Sequence, residues 1–358
     1  MRRFKYRLKA SVGTEKEVIV TAPSALKIMP GSKYGIDLSV DVAVKKYLYH
    51  LPLNRIQSIM RSGGLTAAVN TLYSLCAFVS FYLEEVYQDI KLEVMECGLC
   101  LHLDETTWPI TRKKEDDGYM WVMSNAAGSF YQFEPTRSGD IAKELVGSYE
   151  GPILTDGFSG YKRHFSKSDK VVMSYCWAHA RRKFTDIEKN HPKECKQILK
   201  LMSALSKVEH KAKSYEHLQE LRTEESAPIV EKIKEWLMEA KIKARSESYL
   251  EKAVNYSMNH WDGLTKFLKD AKIPLTNNEA ERAVRQSVMG RKNFYGSRSI
   301  NGADVASVLY TVIESCKKVE LDPKAYILMA VKTKATDKSA KVPTPIQYAK
   351  QIRSATTA

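Results

Sequence analysis

The sequence predicts an α/β protein, a small sheet set among many helices. Between residues 99 and 176, short runs rich in aromatic and β-branched residues alternate with turn signals. Before them, residues 36–90 repeat apolar side chains at spacings of three and four, the period of helices, and after them residues 180–275, charged and low in glycine, and 276–318 also read as helical. Two of the predicted strands run into an aspartate, Asp104 and Asp156.

At 358 residues the chain is long enough for two or three domains. No run of about 18 apolar residues occurs, so no membrane span is expected. The basic start Met1-Arg2-Arg3-Phe4-Lys5 is not followed by a signal-peptide core, and a cytoplasmic location is expected. Lys plus Arg number 56 against 42 Asp plus Glu, a net charge of +14. Such an excess favours a polyanionic partner through counterion release, a property shared with ribosomal and membrane-surface proteins. The six cysteines are scattered and suggest no disulfide framework. Cys97 and Cys100 have zinc-knuckle spacing, but no second pair follows to close a tetrahedral site.

Residues 1–28, with Phe4-Lys5-Tyr6-Arg7-Leu8 and Val18-Ile19-Val20, read as one or two strands, a short β-rich remnant. Pro30-Gly31-Ser32 is a turn. Residues 29–96 form a helical region. In it Leu53–Met60, Gly63-Gly64 and a helix opened by Thr66 as its cap have the helix-turn-helix order, which DNA readers share with ordinary helical hairpins. Leu99–Asp104, Gly118–Met123 and Ser129–Phe133 are three strands. A helix over Ser138–Tyr149 follows, then the strand Pro152–Thr155 leading into Asp156-Gly157, a connection, and the strand Lys170–Cys176. Three strands, a helix, a strand, a connection and a strand is the order of a ribonuclease-H-like sheet. Residues 185–275 read as an all-helical insertion with nothing that points to chemistry. Residues 276–330 return to helix with interruptions at Gly290 and Gly296, and residues 331–358 read as a polar, mobile tail.

Carboxylates at neighbouring strand ends suit hard divalent cations, which prefer oxygen ligands and keep positions open for water and phosphate. The competing account of Asp156-Gly157 is an ordinary turn. A third acid is offered by Glu279 and Glu281, but Thr276 with Glu279, or Asn278 with Glu281, also fits a capping box. Arg285 falls one turn beyond Glu281, and Arg282 beside it, so the acid is flanked by arginines. Gly290–Arg298 carries Arg291, Lys292 and two aromatics between glycines, a composition that fits phosphate contacts with base stacking or a solvated loop equally. Cys176 and His179 are three apart but lack two further zinc ligands. His179 fits a core histidine, a phosphate contact or a proton-transfer group. Arg181, Arg182 and Lys183 put positive charge just after the last strand.

With these motifs in this order, the chain resembles the insertion sequence 66 family of DDE transposases. The residues that carry the likeness are Pro30-Gly31-Ser32 through Leu51–Arg55, Leu103-Asp104-Glu105-Thr106, Asp156–Tyr161, Cys176–Phe184, and Asn277–Arg282 with Gly290–Asn293. The resemblance covers roughly residues 29–330. It implies a ribonuclease-H-like catalytic domain (97–184 and 276–330) with the all-helical insertion, preceded by the helical, helix-turn-helix-like DNA-binding region. It implies two catalytic Mg²⁺ ions, replaceable by Mn²⁺, held by Asp104, Asp156 and Glu281, and it selects Glu281 over Glu279. Cys176 and His179 resemble a Cys-two-His signature that supports the active site. Two departures are visible: residues 1–28 lack the cysteine cluster that family members carry there, and Thr276 stands where the family commonly has Asp.

The expected function is Mg-dependent DNA cleavage and strand transfer at the ends of a mobile element. Arg181, Arg182, Lys183, Arg282, Arg285, Arg291 and Lys292 would contact DNA. The expected assembly is a homo-oligomer on element ends and target DNA, with accessory proteins of the same element as further partners. The alternative is a truncated or repurposed transposase that only binds DNA.

Overall fold

The computed structural model describes residues 5–7, 19–21, 26–29, 31–111, 117–165 and 168–357. A two-stranded antiparallel ribbon, β1 (Lys5–Arg7) and β2 (Ile19–Thr21), comes first. Pro30 of the expected turn lies outside the described residues. Three helices follow: α1 (Ile36–Tyr47), α2 (Leu53–Ser62) and α3 (Val69–Glu96). The α2–α3 turn uses Gly64 at φ 81°, where a side chain would be strained. Helix α3 starts at Val69 with Ala68 as its N-cap, so the expected cap at Thr66 is not used.

The main sheet holds five strands: β3 (Leu101–Trp108), β4 (Gly118–Asn125), β5 (Gly128–Glu134), β6 (Gly151–Thr155) and β7 (Val171–Tyr175). Their order is β5-β4-β3-β6-β7, with β3, β4 and β5 antiparallel and β3, β6 and β7 parallel. Parallel neighbours need crossovers. Helix α4 (Gly139–Val146) lies on the path into β6, and α5 (Ser159–Phe165) joins β6 to β7. Strand β4 is buried on both faces, which explains the unbroken apolar run Met120–Met123.

One difference from the sequence-based expectation concerns β3. It was expected to end at Asp104; instead it runs on to Trp108, and Asp104 sits in its middle, paired with Val122. The β-favouring residues Thr106, Thr107 and Trp108 keep it on β4 after its parallel partner has ended at Thr155.

After β7 come α6 (Trp177–Thr185), α7 (Pro192–Glu209), α8 (Tyr215–Leu221), α9 (Ala227–Lys243), α10 (Tyr249–Asn259) and α11 (Trp261–Thr265). Buried Arg222 ties this helical segment together. It donates to both oxygens of Glu209 and to the carbonyls of Phe267, Asp270 and Ile273. A buried guanidinium with all its partners in place fixes geometry that a single lost partner would undo.

The chain then returns to the sheet through α12 (Asn278–Phe294) and α13 (Ile300–Lys318). Gly290, expected to interrupt α12, lies inside it: an added Cβ would stand 2.0 Å from the Tyr310 hydroxyl, so the glycine permits close packing of α13. Helix α3 packs on β5 and α13 and shares one apolar core with the sheet. The expected mobile tail is instead helical, α14 (Pro323–Thr336) and α15 (Pro345–Thr357). Val331, Val342 and Ala349 of that stretch are buried, α14 packing on α1, α3 and α13 and α15 on α13.

Candidate active site

The sheet brings the two aspartates abreast. Leu101 pairs with Ile153 and His102 with Leu154 in parallel register; Asp104 lies two residues beyond His102 on β3, and Asp156 two residues beyond Leu154, just past the end of β6. Asp104 has no ion pair among the described residues. Its one oxygen Oδ1 accepts from the Glu105 backbone N–H at 2.9 Å. Burial, then the negative charges of Glu105 and Asp156, push its carboxyl up to about 8, with Glu281 adding in the same direction.

Asp156 does make the expected turn, accepting from the Phe158 N–H at 2.9 Å through Oδ1. Gly157 follows at φ 93°, and an added Cβ would lie 2.8 Å from His260 Nε2. The helical segment that follows β7 reaches in here. Tyr256 on α10 donates its hydroxyl to the Asp156 carbonyl at 2.7 Å, and the segment judged bland from sequence thus holds the backbone of a candidate metal ligand.

Helix α12 supplies the third acid. Its N-cap is Asn277, fully buried, and none of the expected capping boxes forms. The Asn277 side chain turns to the sheet instead: Nδ2 donates to the Leu103 carbonyl at 2.8 Å and Oδ1 lies 2.9 Å from His102 Nδ1. Its backbone N–H donates to Cys176 Sγ at 3.1 Å. One residue therefore clamps β3, α6 and α12 together.

The two glutamates of α12 separate cleanly. Glu279 is held by Lys318 at 2.9 Å. Glu281 lies 3.6 Å from His179 Nδ1 and 3.8 Å from Arg182. Its Oε1 and the His179 Nδ1 are both buried without a hydrogen-bond partner. Burial lowers the affinity of His179 for a proton and raises that of the Cys176 thiol, which leaves a neutral imidazole and a neutral thiol at physiological pH. The ligand atoms of Cys176, His179 and Glu281 lie within 4.8 Å of one another. Cys97 and Cys100 enter no such group among the described residues.

The cations fall into two sets. Arg182, Lys183, Arg282, Arg285 and Lys292 are exposed. Lys183 lies over the Tyr256 ring, 5.0 Å from its centre. Arg181 is committed elsewhere, donating to the Leu199 carbonyl and Ser203 on α7. Arg291 likewise donates to Thr106 and Thr107 of β3 through Nη1. These two brace helices against their neighbours.

The donor set fits hard divalent cations. Two aspartates without an ion pair among the described residues, one of them pushed up by burial and then by neighbouring acids, and a buried orphan oxygen on Glu281 are what a bound ion would relieve. Sequence reasoning passed over His102, Tyr256 and His260. Only the pairing of distant segments gives these residues a role, and no local motif marks them.

Residues 31–305 match the model of the family described as "Transposase IS66 family". Similar proteins are found in Sinorhizobium fredii (strain NBRC 101917 / NGR234). The uncharacterized protein y4jD is 30% identical over 331 residues, 86% of this chain and 64% of that protein. The uncharacterized protein y4hP is 29% identical over 339 residues, 87% of this chain and 61% of that protein. A third, y4qI, is 25% identical over 303 residues, 79% of this chain and 56% of its own length. The chain thus spans about three-fifths of the length of the curated relatives it matches. Among the described residues no helix is long and apolar enough to cross a membrane.

Proposed function

This chain belongs to the transposase IS66 family, a family of DDE transposases, and we propose that it cleaves DNA at the ends of a mobile element and joins the freed ends to a target. Asp104, Asp156 and Glu281 are the proposed ligands of two Mg²⁺ ions, which Mn²⁺ can replace. When bound, such ions activate the attacking hydroxyl and stabilise the leaving oxygen. The observation that carries this reading is the pair of carboxylates without an ion pair among the described residues, Asp104 on β3 and Asp156 just past the end of β6, with the charge of Glu281 acting on Asp104 in the same direction as Asp156.

The protein's own residues do the positioning. The Asn277 clamp sets the start of α12 against β3, so that Glu281 keeps its place opposite the aspartates. Neutral His179 lies beside Glu281 and leaves its Oε1 free for a cation, while Arg182 stands 3.8 Å from Oε2. Burial and then the neighbouring acids push the Asp104 carboxyl up to about 8, and holding a cation would favour its ionised form. Exposed Arg182, Lys183, Arg282, Arg285 and Lys292 steady DNA phosphates beside the cleavage point. Catalysis then comes mainly from alignment and charge neutralisation.

The division of labour we propose assigns DNA binding to residues 29–96 and chemistry to a ribonuclease-H-like unit of 97–184 and 276–330. In that division 185–275 is an insertion that backs the Asp156 turn. We further propose that the protein works in the cytoplasm as a homo-oligomer on DNA. Cleavage and joining of labelled element-end DNA with Mg²⁺, native protein against Asp156→Asn, tests this. Joined products from the native protein alone are expected. Binding without cleavage by the native protein would replace the proposal with a DNA-binding role, and equal cleavage by both would overturn the assignment of Asp156.

A further inference from the structure

Beyond the carboxylates, one cleft of about 720 Å³ opens where α1, α2 and α3 meet the turn between α12 and α13. It lies within the roughly 300–1,000 Å³ typical of ligand clefts. Its charged lining is wholly cationic, Lys46, Arg55 and Arg298, with no acidic residue. Lys46 is only 9% exposed. Its ammonium rests 3.5 Å from the centre of the Phe294 ring, and no carboxylate pairs with it among the described residues. Burial lowers its proton affinity to about 8, so an anion in the cleft would stabilise its charge.

Backbone donors point to the same ligand chemistry. Helices α2 and α3 both begin at this cleft, and their N-caps are Pro52 and Ala68, neither with a side-chain cap. The amides of an uncapped first turn are open to an anion, and the helix dipoles favour one. Aromatic surface completes the cleft. Tyr295 caps α12 in the left-handed conformation, φ 60°, with its side chain 74% exposed beside Phe294. A bulky residue in that conformation is uncommon and calls for a reason.

We propose that this cleft binds an unpaired nucleotide of the DNA strand, the phosphate against Lys46, Arg55 and the α2 and α3 amides, and the base stacked on Tyr295. The proposal rests on the DNA-cleaving role proposed above and adds a strand contact away from the chemistry. Phe294 follows Glu281 by thirteen residues on α12, roughly 20 Å at the helical rise. That is about six nucleotide steps of B-form DNA, so the contact would hold a strand frayed or opened near the cleavage point.

The test uses the full chain and a fluorescent single-stranded oligonucleotide, a blunt duplex, and a strand with one 2-aminopurine. Tyr295→Asn removes the ring while asparagine tolerates the left-handed backbone. Lys46→Met removes the buried charge. Each variant is expected to weaken single-strand binding roughly ten-fold; Tyr295→Asn should leave duplex binding within about two-fold and abolish the 2-aminopurine quench. Single-strand binding equal to native in both variants, or no quench with the native protein, would overturn the cleft. Displacement of the oligonucleotide by micromolar thymidine 5′-monophosphate would overturn the strand in favour of a free nucleotide. Mg²⁺-dependent duplex cleavage by the native protein, measured alongside, reports on the parent reading: cleavage without the cleft effect sinks only the cleft, and the cleft effect without cleavage sinks only the nuclease.

Discussion

Asp104 and Glu105 are adjacent on β3 and point to opposite faces of one sheet, yet they live in opposite circumstances. Glu105 is buried and answered: Tyr161 donates to it and Arg137 pairs with it at 2.6 Å. Asp104 is half-buried and unanswered, with only a backbone N–H and further acids around it. A buried carboxylate that a fold needs for itself is given a cation or donors. One left without them marks a place where the missing charge comes from outside. Glu279 and Glu281 show a weaker form of the contrast on α12: Lys318 holds the first at 2.9 Å, while the second has Arg182 at 3.8 Å from one oxygen and no partner for the other.

The sharpest way to break that contrast is to neutralise each acid in turn. Asp104→Asn and Glu281→Gln should each cut DNA cleavage by about 10³-fold or more, with DNA binding retained. Gel assays of cleavage and filter binding on the same preparations check this. Glu105→Gln acts on the other side of the comparison. It leaves Arg137 without its partner and should cost about 2–3 kcal/mol of stability in urea unfolding. Activity at low temperature should change far less.

The pH dependence of stability sharpens the point further. An unfolded aspartate titrates near 3.9, whereas folded Asp104 does so near about 8. Between those values the folded state holds a proton that the unfolded chain has released. Stability of the metal-free protein therefore falls as pH rises from about 4 to about 8 on this account. Buried His179 acts with the opposite sign, but only up to its unfolded value near 6.5. The melting temperature should thus drop from pH 6.5 to 8 in the native protein. That drop should shrink in Asp104→Asn and when Mg²⁺ is added. The smallest effect is expected at Glu279→Gln. Its pair with Lys318 is partly exposed and worth under about 1 kcal/mol, and cleavage should stay within a few-fold of native.

Much of this molecule was legible in the sequence, for identifiable reasons. The order of strands and helices followed from period and turn residues, and both aspartates stood out because a strand led into each. The choice of Glu281 needed the family resemblance, since Glu279 and Glu281 have the same local chemistry. Their partners in space distinguish them: Lys318, thirty-nine residues away, holds Glu279, whereas His179 and Arg182 lie beside Glu281. The end of β3 was misplaced because strand termination depends on which partner stops first. Arg181 and Arg291 looked like DNA contacts because charge is local, whereas their actual partners, Leu199 and Thr107, are tertiary. The C-terminal helices were missed for a related reason: their apolar residues are too sparse to announce a helix without the face of α13 beside them.

The most direct test of the central claim is Mn²⁺ binding, followed by its electron spin resonance signal, in native protein, Asp156→Asn and Cys176→Ser. The cluster of Cys176, His179 and Glu281 offers a competing set of ligand atoms within 4.8 Å, and soft sulfur favours other metals than Mn²⁺. Saturable binding that weakens at least ten-fold in Asp156→Asn and is unchanged in Cys176→Ser is the expected result. Binding that survives Asp156→Asn and disappears with Cys176→Ser would contradict the account and move the metal off the aspartates.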